Sequence, residues 1–457
     1  MAFYDYSFLF AFLPAMLAVY WLLPAKLRNF WFLAASLTFY LFADPAFLPV
    51  LVMAAIVNYS LGLGVGGLKP GGGRKALLAI GIIFNLALLC SFKYLGFFAG
   101  TLRIFPQFKN LAVPSALLPI GISFYTFTSM SYLIDLYRGQ VKAAGSIVTF
   151  SSFLTMFPHI VSGPIVRFRE IRGQFEQRTF QFNHLTEGMA LFFMGFAKKI
   201  LIADSAGYFC DPIFSQHTPG FLQAWTSALL FSGQIYFDFS GYTDMAIGLA
   251  LLLGFEYPQN FNSPYKSATF TDFWRTWHMT LSRWLRDYLY ISLGGNKQGK
   301  IRTYINIMLT MLLGGLWHGA SWNFVAWGGY QGALLAVERV LGLRVAPKGE
   351  AAKAVRTVFT FVMVTIGWGV FFRCKNFGQS LRWLKSMFFF DGLGPMVSWK
   401  TLAALAMMLA IVFGFKNSWE LRKNYKLYWV IFIIICFVLS LMVAYTKGGM
   451  PFLYARF

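Results

Sequence analysis

The sequence has few charged side chains and few cysteines for its length. Of its 457 residues only 12% are Asp, Glu, Lys or Arg, whereas 58% are hydrophobic and the mean hydropathy is +0.58. This composition excludes an ordinary soluble globular protein and predicts an all-α polytopic membrane protein. The four cysteines are far apart and form no C-x-x-C pair, so neither a zinc site nor a disulfide framework is indicated, and we expect no metal.

Acidic residues are scarcer than basic ones, with 17 Asp and Glu against 39 Lys and Arg, a net charge of +22. Such an excess can indicate nucleic-acid binding, but here the basic residues lie between apolar segments instead of in one basic domain, so we expect no nucleic acid. We interpret them as loop charges that face anionic membrane lipid and an anionic cofactor. No repeat or long linker interrupts the chain, which predicts a single integral-membrane domain over residues 1–457.

The distribution of basic residues also predicts the topology. No Lys or Arg precedes the first apolar segment, which continues from Ser7 to about Leu23 and resembles a retained span. Basic residues follow the first and third apolar segments but not the second, which predicts an extracytoplasmic N-terminus and cytoplasmic basic loops. Several later segments are short enough to be re-entrant or interfacial, and we expect roughly 11 to 13 crossings. The later candidate spans are 76–91, 111–134, 145–166, 186–203, 221–236, 239–255, 304–317, 320–337, 357–372, 401–415 and 427–446.

The stretch from Thr303 to Val337 contains no Asp, Glu, Lys or Arg and a single histidine, His318. It is too long for one upright span of about 20 residues. We therefore predict a break where Gly314, Gly315 and Gly319 surround His318. Because broken backbone and an ionisable side chain are both costly at membrane depth, His318 is the leading candidate for a functional residue. The alternative is a neutral histidine that is hydrogen-bonded between helices.

The segment from Thr271 to Arg302 has the pattern of one amphipathic interfacial helix. At helical spacing, one apolar face contains Trp274, His278, Leu281 and Leu285, and another face presents Arg275, Ser282 and Arg286 to water or phosphate. His278 lies on the apolar face, where an imidazole needs a partner. The alternative is a membrane-surface helix with no catalytic part.

Two carboxylates, Asp238 and Asp244, are the only charged side chains between Pro212 and Phe255. We predict that they lock helices together through a tyrosine, a serine or an arginine of the amphipathic helix, or that they orient a histidine. As an acid-base pair they are unconvincing, because spacing alone does not define such a site. A fourth motif contains His159 in the run FPHIVSGP, where a helix ends either at a polar cavity or at an ordinary basic loop.

Six stretches together resemble the bacterial membrane-bound O-acyltransferases, specifically the alginate O-acetyltransferase type. They are LLPIGISFYTF at 117–127, FPHIVSGPIVRF at 157–168, GFAKKILIAD at 195–204, YFDFSGYTDMAIGL at 236–249, FWRTWHMTLSRWLRDYLYISLGGN at 273–296 and MLLGGLWHGASW at 311–322. The resemblance implies a multi-helix bundle around a central funnel, with a core at approximately 110–345. It also implies transfer of acetyl from cytosolic acetyl-CoA toward an acceptor outside the bacterial inner membrane.

The resemblance also assigns residues and partners. The family's signature histidine falls on His318 and its second histidine, in the R-x-W-H motif, on His278. We expect His318 to be the general base and His278 to polarise the carbonyl or position a reactant. Further supporting or tunnel positions predicted within these motifs are Trp317, Asp238, Tyr242, Asp244, Arg286, Asp287 and His159.

Family members modify extracytoplasmic glycans such as alginate, cellulose and peptidoglycan, usually with an SGNH-type partner protein. Three alternatives remain at this point. One is D-alanyl or other acyl transfer to teichoic acid or lipid from a carrier-protein thioester, and the second is a transporter. The third is a structural membrane subunit.

Overall fold

The computed structural model describes residues 1–113, 117–388, 392–424 and 426–453. The chain forms two compact units, one of Met1–Phe192 with Met245–Pro258 and the other of Phe193–Asp244 with Gln259–Phe457. Both units consist of helices and connecting turns, and the described residues include no β-strand. The predicted all-α polytopic class is confirmed.

Within the described residues, four helices are long and apolar enough to cross a bilayer: Pro45–Gly67, Gly72–Leu102, Glu350–Phe372 and Leu427–Thr446. Two further apolar helices, Phe8–Leu22 and Trp399–Gly414, are shorter. Their apolar side chains face outward in large numbers, as lipid-facing helices require, because lipid and not protein solvates them. The number of crossings, the central funnel and the single domain stay predictions.

Prolines and glycines set many helix boundaries in the first unit. Pro24, Pro45 and Pro49 precede or occupy the first turns of helices, where a missing N–H costs nothing. The helices of this unit are Leu13–Leu22, Ala25–Ala43, Leu48–Gly67, Gly72–Leu89, Leu95–Leu102, Ile122–Tyr137, Ile147–Thr155, Phe157–Ile160 and Phe168–Ile171, and Phe182–Ala197 begins here.

Two predicted spans of the first unit were wrong in extent. The span at 145–166 ends as a helix at Thr155, because the ring of Pro158 would clash with a carbonyl one turn earlier in a continuous helix. The span at 111–134 is the helix Ile122–Tyr137, which begins after Gly121 at φ 75°. Residues 114–116 of that prediction lie outside the described residues.

The second unit contains the longest helix, Phe221–Leu252, whose last residues belong to the first unit. Two separate spans at 221–236 and 239–255 were predicted here, and this was wrong: the helix continues through Asp238, whose charge is matched by a lysine. The other helices are Asp204–Phe214, Phe270–Thr276, Met279–Trp284, Gly299–His318, Trp322–Val340, Glu350–Ile366, Phe377–Phe388, Trp399–Gly414, Ser418–Leu421 and Leu427–Lys447. Wider, π-helical turns adjoin some of these helices, at Lys198–Ala203, Leu285–Tyr290 and Gly367–Phe372.

Helices Gly299–His318 and Trp322–Val340, which we call the hairpin, approach each other through glycines. A Cβ on Gly315 would lie 2.2 Å from the carbonyl oxygen of Phe324, and a Cβ on Gly328 would lie 2.3 Å from that of Met311. Backbone atoms on both sides leave no flexible group that could move aside. The two helices can therefore pack this closely only with glycine at these positions.

Replacing Gly328 by alanine is expected to lower the free energy of unfolding by about 1–3 kcal/mol, because the added methyl group forces the hairpin apart. Gly329→Ala is the matched control. Its Cβ would meet only a leucine side chain at 3.5 Å, so alanine there is expected to stabilise the helix by up to about 1 kcal/mol. Thermal unfolding of both variants in lipid nanodiscs measures the difference, and shifts of the same sign and size would contradict the packing argument.

Candidate active site

His318 is the last residue of its helix, as the glycine pattern predicted. The helix Gly299–His318 ends there because Gly319 takes an extended conformation, and the next helix begins at Trp322. Any side chain at position 319 would collide with Phe324, since a Cβ would lie 2.1 Å from its ring. The predicted break at His318 is confirmed.

Aromatic rings surround the His318 imidazole. Its ring centroid lies 5.0 Å from that of Trp317, 5.1 Å from that of Trp327 and 5.5 Å from that of Phe372, all in edge-to-face arrangements. The residue is 4% exposed. These rings restrict the orientation of the imidazole and keep bulk water from most of its surface.

The single amphipathic helix predicted around His278 was wrong. The chain forms two short helices, Phe270–Thr276 and Met279–Trp284, and His278 lies between them with a left-handed backbone at φ 41°. The break is held by tertiary backbone hydrogen bonds, in which Met279 N–H donates to Asn260 O at 2.9 Å and Asn262 N–H donates to Thr276 O at 2.9 Å. These bonds replace intrahelical ones, so helical periodicity alone could not reveal the break.

The polar contacts of His278 determine which ring nitrogen carries the proton. Asn260 Oδ1 accepts the Thr280 backbone N–H at 3.1 Å and its hydroxyl at 2.9 Å, and it also lies 3.1 Å from His278 Nδ1. Since that oxygen can only accept, Nδ1 is the donor and Nε2 bears the lone pair. Complete burial lowers the pKa of His278 to about 3, so the ring is neutral at pH 7.

Trp317 joins the two histidines. Its ring centroid lies 6.1 Å from the ring of His278 and 5.0 Å from that of His318. The structure thus brings three of the predicted site residues together, with His278 and His318 both beside the indole of Trp317.

His318 also lines a cavity of about 160 Å³. Arg286, another predicted position, lines it as well, together with side chains of the hairpin and of the segment after His278. The remaining lining residues are Trp274, Leu281, Ser282, Leu285, Tyr290, Ile307, Thr310, Met311, Gly314, Trp327 and Leu335.

A second and larger cavity, of about 540 Å³, adjoins the first and shares six of its lining residues: Trp274, Ser282, Arg286, Tyr290, Ile307 and Leu335. Five arginines line it, which we call the arginine mouth: Arg275, Arg283, Arg286, Arg339 and Arg344. The shared lining makes the arginine mouth a direct neighbour of the cavity at His318.

The arginine mouth has an excess of positive charge. Asp272 pairs with Arg275 at 3.1 Å and Asp287 pairs with Arg286 at 2.7 Å. The Glu338 carboxylate is occupied by three donors from residues 270–271 at 2.6–2.9 Å. Five guanidinium groups against these three carboxylates leave a charge of +2.

The two most available cations of the mouth are Arg339 and Arg344. Within the described part of the chain, neither side chain makes an ion pair or hydrogen bond with protein. An anionic group that enters the mouth could therefore bind both without displacing an existing partner.

Asp238 and Asp244 are each paired with a lysine instead of with an arginine of the predicted amphipathic helix. Asp238 Oδ1 lies 2.7 Å from Lys199 Nζ, and Asp244 Oδ2 lies 2.6 Å from Lys198 Nζ. Asp204 also binds Lys199, at 2.6 Å. The carboxylates therefore connect helix Phe221–Leu252 to the lysine segment.

The last two predicted positions have packing contacts. Tyr242 stands edge-on to Phe452, with centroids 4.6 Å apart. In the first unit, His159 Nδ1 lies 3.0 Å from the Tyr257 hydroxyl, which itself donates to Met156 Sδ at 3.2 Å. These contacts place His159 in a buried side-chain network, as expected of a core histidine.

Sequence reasoning missed Asn260, Trp327, Arg339 and Arg344. The two arginines follow the charge-free stretch directly, which was the one available signal for them. Asn260 and Trp327 had none, because each acts through residues that are distant along the chain. No group of three or more His, Cys, Asp or Glu that could hold a metal occurs among the described residues.

Comparison with known proteins identifies the family of the chain. Residues 140–381 match the model of the MBOAT, membrane-bound O-acyltransferase family. The chain is 45% identical to a probable alginate O-acetylase of Azotobacter vinelandii, over 85% of this chain and 78% of the relative. It is 34% identical to a peptidoglycan O-acetyltransferase of Helicobacter pylori, over 92% and 89%. It is 28% identical to a teichoic acid D-alanyltransferase of Streptococcus thermophilus, over 55% and 68%.

These matches cover the hairpin, both histidines of the site and the arginine mouth. The matched region extends further toward the C-terminus than the core predicted at 110–345. A match over more than half of the chain, together with relatives at this level of identity, shows that the protein belongs to the membrane-bound O-acyltransferase family and is a multi-pass membrane O-acyltransferase.

Proposed function

We propose that this protein takes acetyl from acetyl-CoA on the cytoplasmic side of the bacterial inner membrane and passes it to a hydroxyl of an extracytoplasmic glycan. Relatives named for alginate and for peptidoglycan O-acetylation support the reaction and the class of acceptor. The transfer is direct or goes through a serine of an SGNH-type partner.

The choice of acetyl-CoA as the acyl donor rests on one observation, which is that the arginine mouth shares six lining residues with the cavity at His318. Coenzyme A ends in a 3'-phospho-ADP group, a polyanion that planar guanidinium groups bind by charge-assisted hydrogen bonds. With this group at Arg339 and Arg344, the pantetheine arm would follow the shared wall toward His318. That placement would put the thioester, and not the phosphates, next to the imidazole.

The reaction then needs one proton acceptor at the thioester. His318 removes the proton of the acceptor hydroxyl as its oxygen attacks the thioester carbonyl, and the carbon–sulfur bond breaks. The imidazolium returns that proton to the leaving sulfur, so CoA departs as the free thiol and His318 is neutral again. No covalent acyl-enzyme is required in this scheme.

The proton on Nδ1 of His278 favours one of its two predicted roles. With its lone pair on Nε2, the ring can accept a hydrogen bond but cannot donate one to a carbonyl oxygen. We therefore assign His278 the positioning role, which it can exert on the His318 site through their common neighbour Trp317.

The arginine mouth provides the test of the donor. We expect Arg339→Gln with Arg344→Gln to raise the KM for acetyl-CoA by about 10- to 100-fold, because each lost charge-assisted bond is worth about 1.5–3 kcal/mol in isolation and losses are partly shared. The kcat is expected to change much less, since neither residue reaches the thioester. The measurement is release of free CoA from acetyl-CoA by the protein in lipid nanodiscs.

Arg302→Gln is the matched control. Arg302 is an exposed arginine of the hairpin that does not line the mouth, and its loss is expected to leave the KM unchanged. Equal effects in both variants would mean that the mouth does not bind the donor. If wild-type protein releases no CoA even with candidate acceptors and partner, a carrier-protein thioester becomes the better donor, as the D-alanyltransferase relative suggests.

The partner is tested separately. Direct acetylation of a glycan by the isolated protein, with no SGNH-type protein in the copurified material, would remove the partner from the scheme. Acetylation that requires such a protein would retain it.

A further inference from the structure

The second unit contains an amphipathic cavity that the proposed reaction does not use. Its volume is about 340 Å³, and it is bordered by the helices Trp399–Gly414 and Leu427–Lys447. Polar side chains of Lys198, Asn417 and Ser418 gather at one end, and apolar side chains line the rest.

The apolar wall belongs to a helix that can span a bilayer. Trp429, Phe432, Ile433 and Cys436 are spaced at i, i+3, i+4 and i+7 and so share one helical face, which lines the cavity. At about 1.5 Å per residue this face extends roughly 10 Å along the helix. The helix is a candidate membrane span and largely unburied by protein, so the cavity lies beside a helix whose outer surface is available to lipid.

The polar end has unused donors. Lys198 Nζ donates to Asp244 Oδ2 at 2.6 Å and to Ser418 Oγ at 2.8 Å, and Ser418 donates to the same carboxylate at 2.6 Å. An ammonium group has three N–H donors, so one remains for a ligand. Lys416, which also lines the cavity, is exposed and makes no hydrogen bond or ion pair with the described residues.

The loop at this end is basic. Between Lys416 and Lys426 the sequence has four Lys and Arg residues against one carboxylate, Glu420. An excess of basic residues next to a span marks the cytoplasmic side, whose leaflet carries the anionic lipids.

We propose that this cavity binds one anionic glycerophospholipid of the cytoplasmic leaflet. Its phosphate lies at Lys416 and Lys198, with Asp244 neutralising part of the Lys198 charge, and one acyl chain follows the face from Trp429 to Cys436. This site is separate from the acyl-transfer site and does not depend on the identity of the acyl donor.

The test is native mass spectrometry of the delipidated protein in nonionic detergent. The protein is titrated with phosphatidylglycerol or with phosphatidylcholine of the same acyl chains. We expect tighter binding of phosphatidylglycerol, and Lys416→Gln is expected to weaken it by about fivefold, the effect of one cation at a membrane surface. Lys426→Gln removes the same charge from the same loop outside the cavity, and it is expected to change nothing.

Variants that fill the cavity with a larger side chain distinguish lipid binding inside the cavity from general binding of anionic lipid to the protein surface. Ile433→Trp is expected to abolish the binding of phosphatidylglycerol while acetyl transfer continues. If that variant does not fold, Ile411→Phe, on the opposite wall, provides the same test. Equal affinity for both lipids, binding that survives a filled cavity, or an equal loss in Lys426→Gln would each overturn the proposal.

Discussion

Replacing His318 by alanine is expected to reduce acetyl transfer by about 100- to 10,000-fold, the usual contribution of a general base. The imidazole is held by three aromatic rings at the end of its helix and borders the cavity that shares lining residues with the arginine mouth. No other titratable side chain of the described residues lines that cavity except Arg286 and Tyr290. A guanidinium group and a phenol hydroxyl are poor proton acceptors near neutral pH, so neither neighbour can replace His318 as a base. The measurement is CoA release in nanodiscs, with thermal unfolding to confirm that the variant is folded.

Two further variants show whether the loss of activity comes from the loss of a basic nitrogen at position 318. His318→Gln keeps a polar side chain of similar size without a basic nitrogen, so it is expected to be as inactive as alanine if the role is proton transfer. If glutamine preserved activity, the histidine would be a packing or hydrogen-bonding residue instead. His217→Ala, at an exposed histidine whose ring contacts only the neighbouring Thr218, is the control and is expected to behave as wild type.

Replacing Lys199 by methionine is expected to lower the free energy of unfolding by about 3–5 kcal/mol, because it removes one partner of a buried ion cluster. Lys199 Nζ lies 2.6 Å from Asp204 and 2.7 Å from Asp238, and its side chain is 1% exposed. Without the ammonium, two carboxylates would face each other in an environment of low polarity. They also hold the end of the chain, since Met450 N–H donates to Asp204 and Leu453 N–H donates to Asp238.

Lys300→Met is the matched control, because Lys300 is exposed and takes part in no ion pair within the described residues. It is expected to change the midpoint of thermal unfolding little. Adding Asp238→Leu to Lys199→Met is expected to recover part of the loss, since it removes one of the two repelling charges. If Lys199→Met unfolded at the wild-type temperature, the cluster would be dispensable and the carboxylates would be open to a role in chemistry.

The membrane class and the position of the main histidine could be read from local composition. The break at His318 was predicted from a charge-free stretch that is longer than one span and has three glycines close to that histidine. One helix ends at His318 and the next begins at Trp322. Such inferences succeed because a span needs a fixed number of apolar residues and because glycine marks close approach, and both properties are local. The motif resemblance added the pairing of His318 with His278, and their common contact with Trp317 agrees with it.

Two of the failed predictions, those at His278 and at Asp238, share one physical cause. Helical periodicity predicted a continuous helix through His278, but backbone hydrogen bonds to residues 260 and 262 compete with the helical ones and break it. Two separate spans were predicted on either side of Asp238, but a lysine 39 residues earlier in the chain neutralises its charge and one helix continues through it. In each case the deciding partner is far away in sequence, where no pattern of neighbouring residues can indicate it.

What the sequence by itself determined is therefore the all-α membrane class, the broken hairpin and the histidine at its turn, because each follows from the cost of placing polar groups and broken backbone in lipid. Only the tertiary structure decided the proton position on His278, the lysine partners of the two aspartates and the gathering of five arginines into one mouth. Arg275 and Arg344 come from different helices and loops, and charge in a sequence shows how many cations there are but not where folding concentrates them.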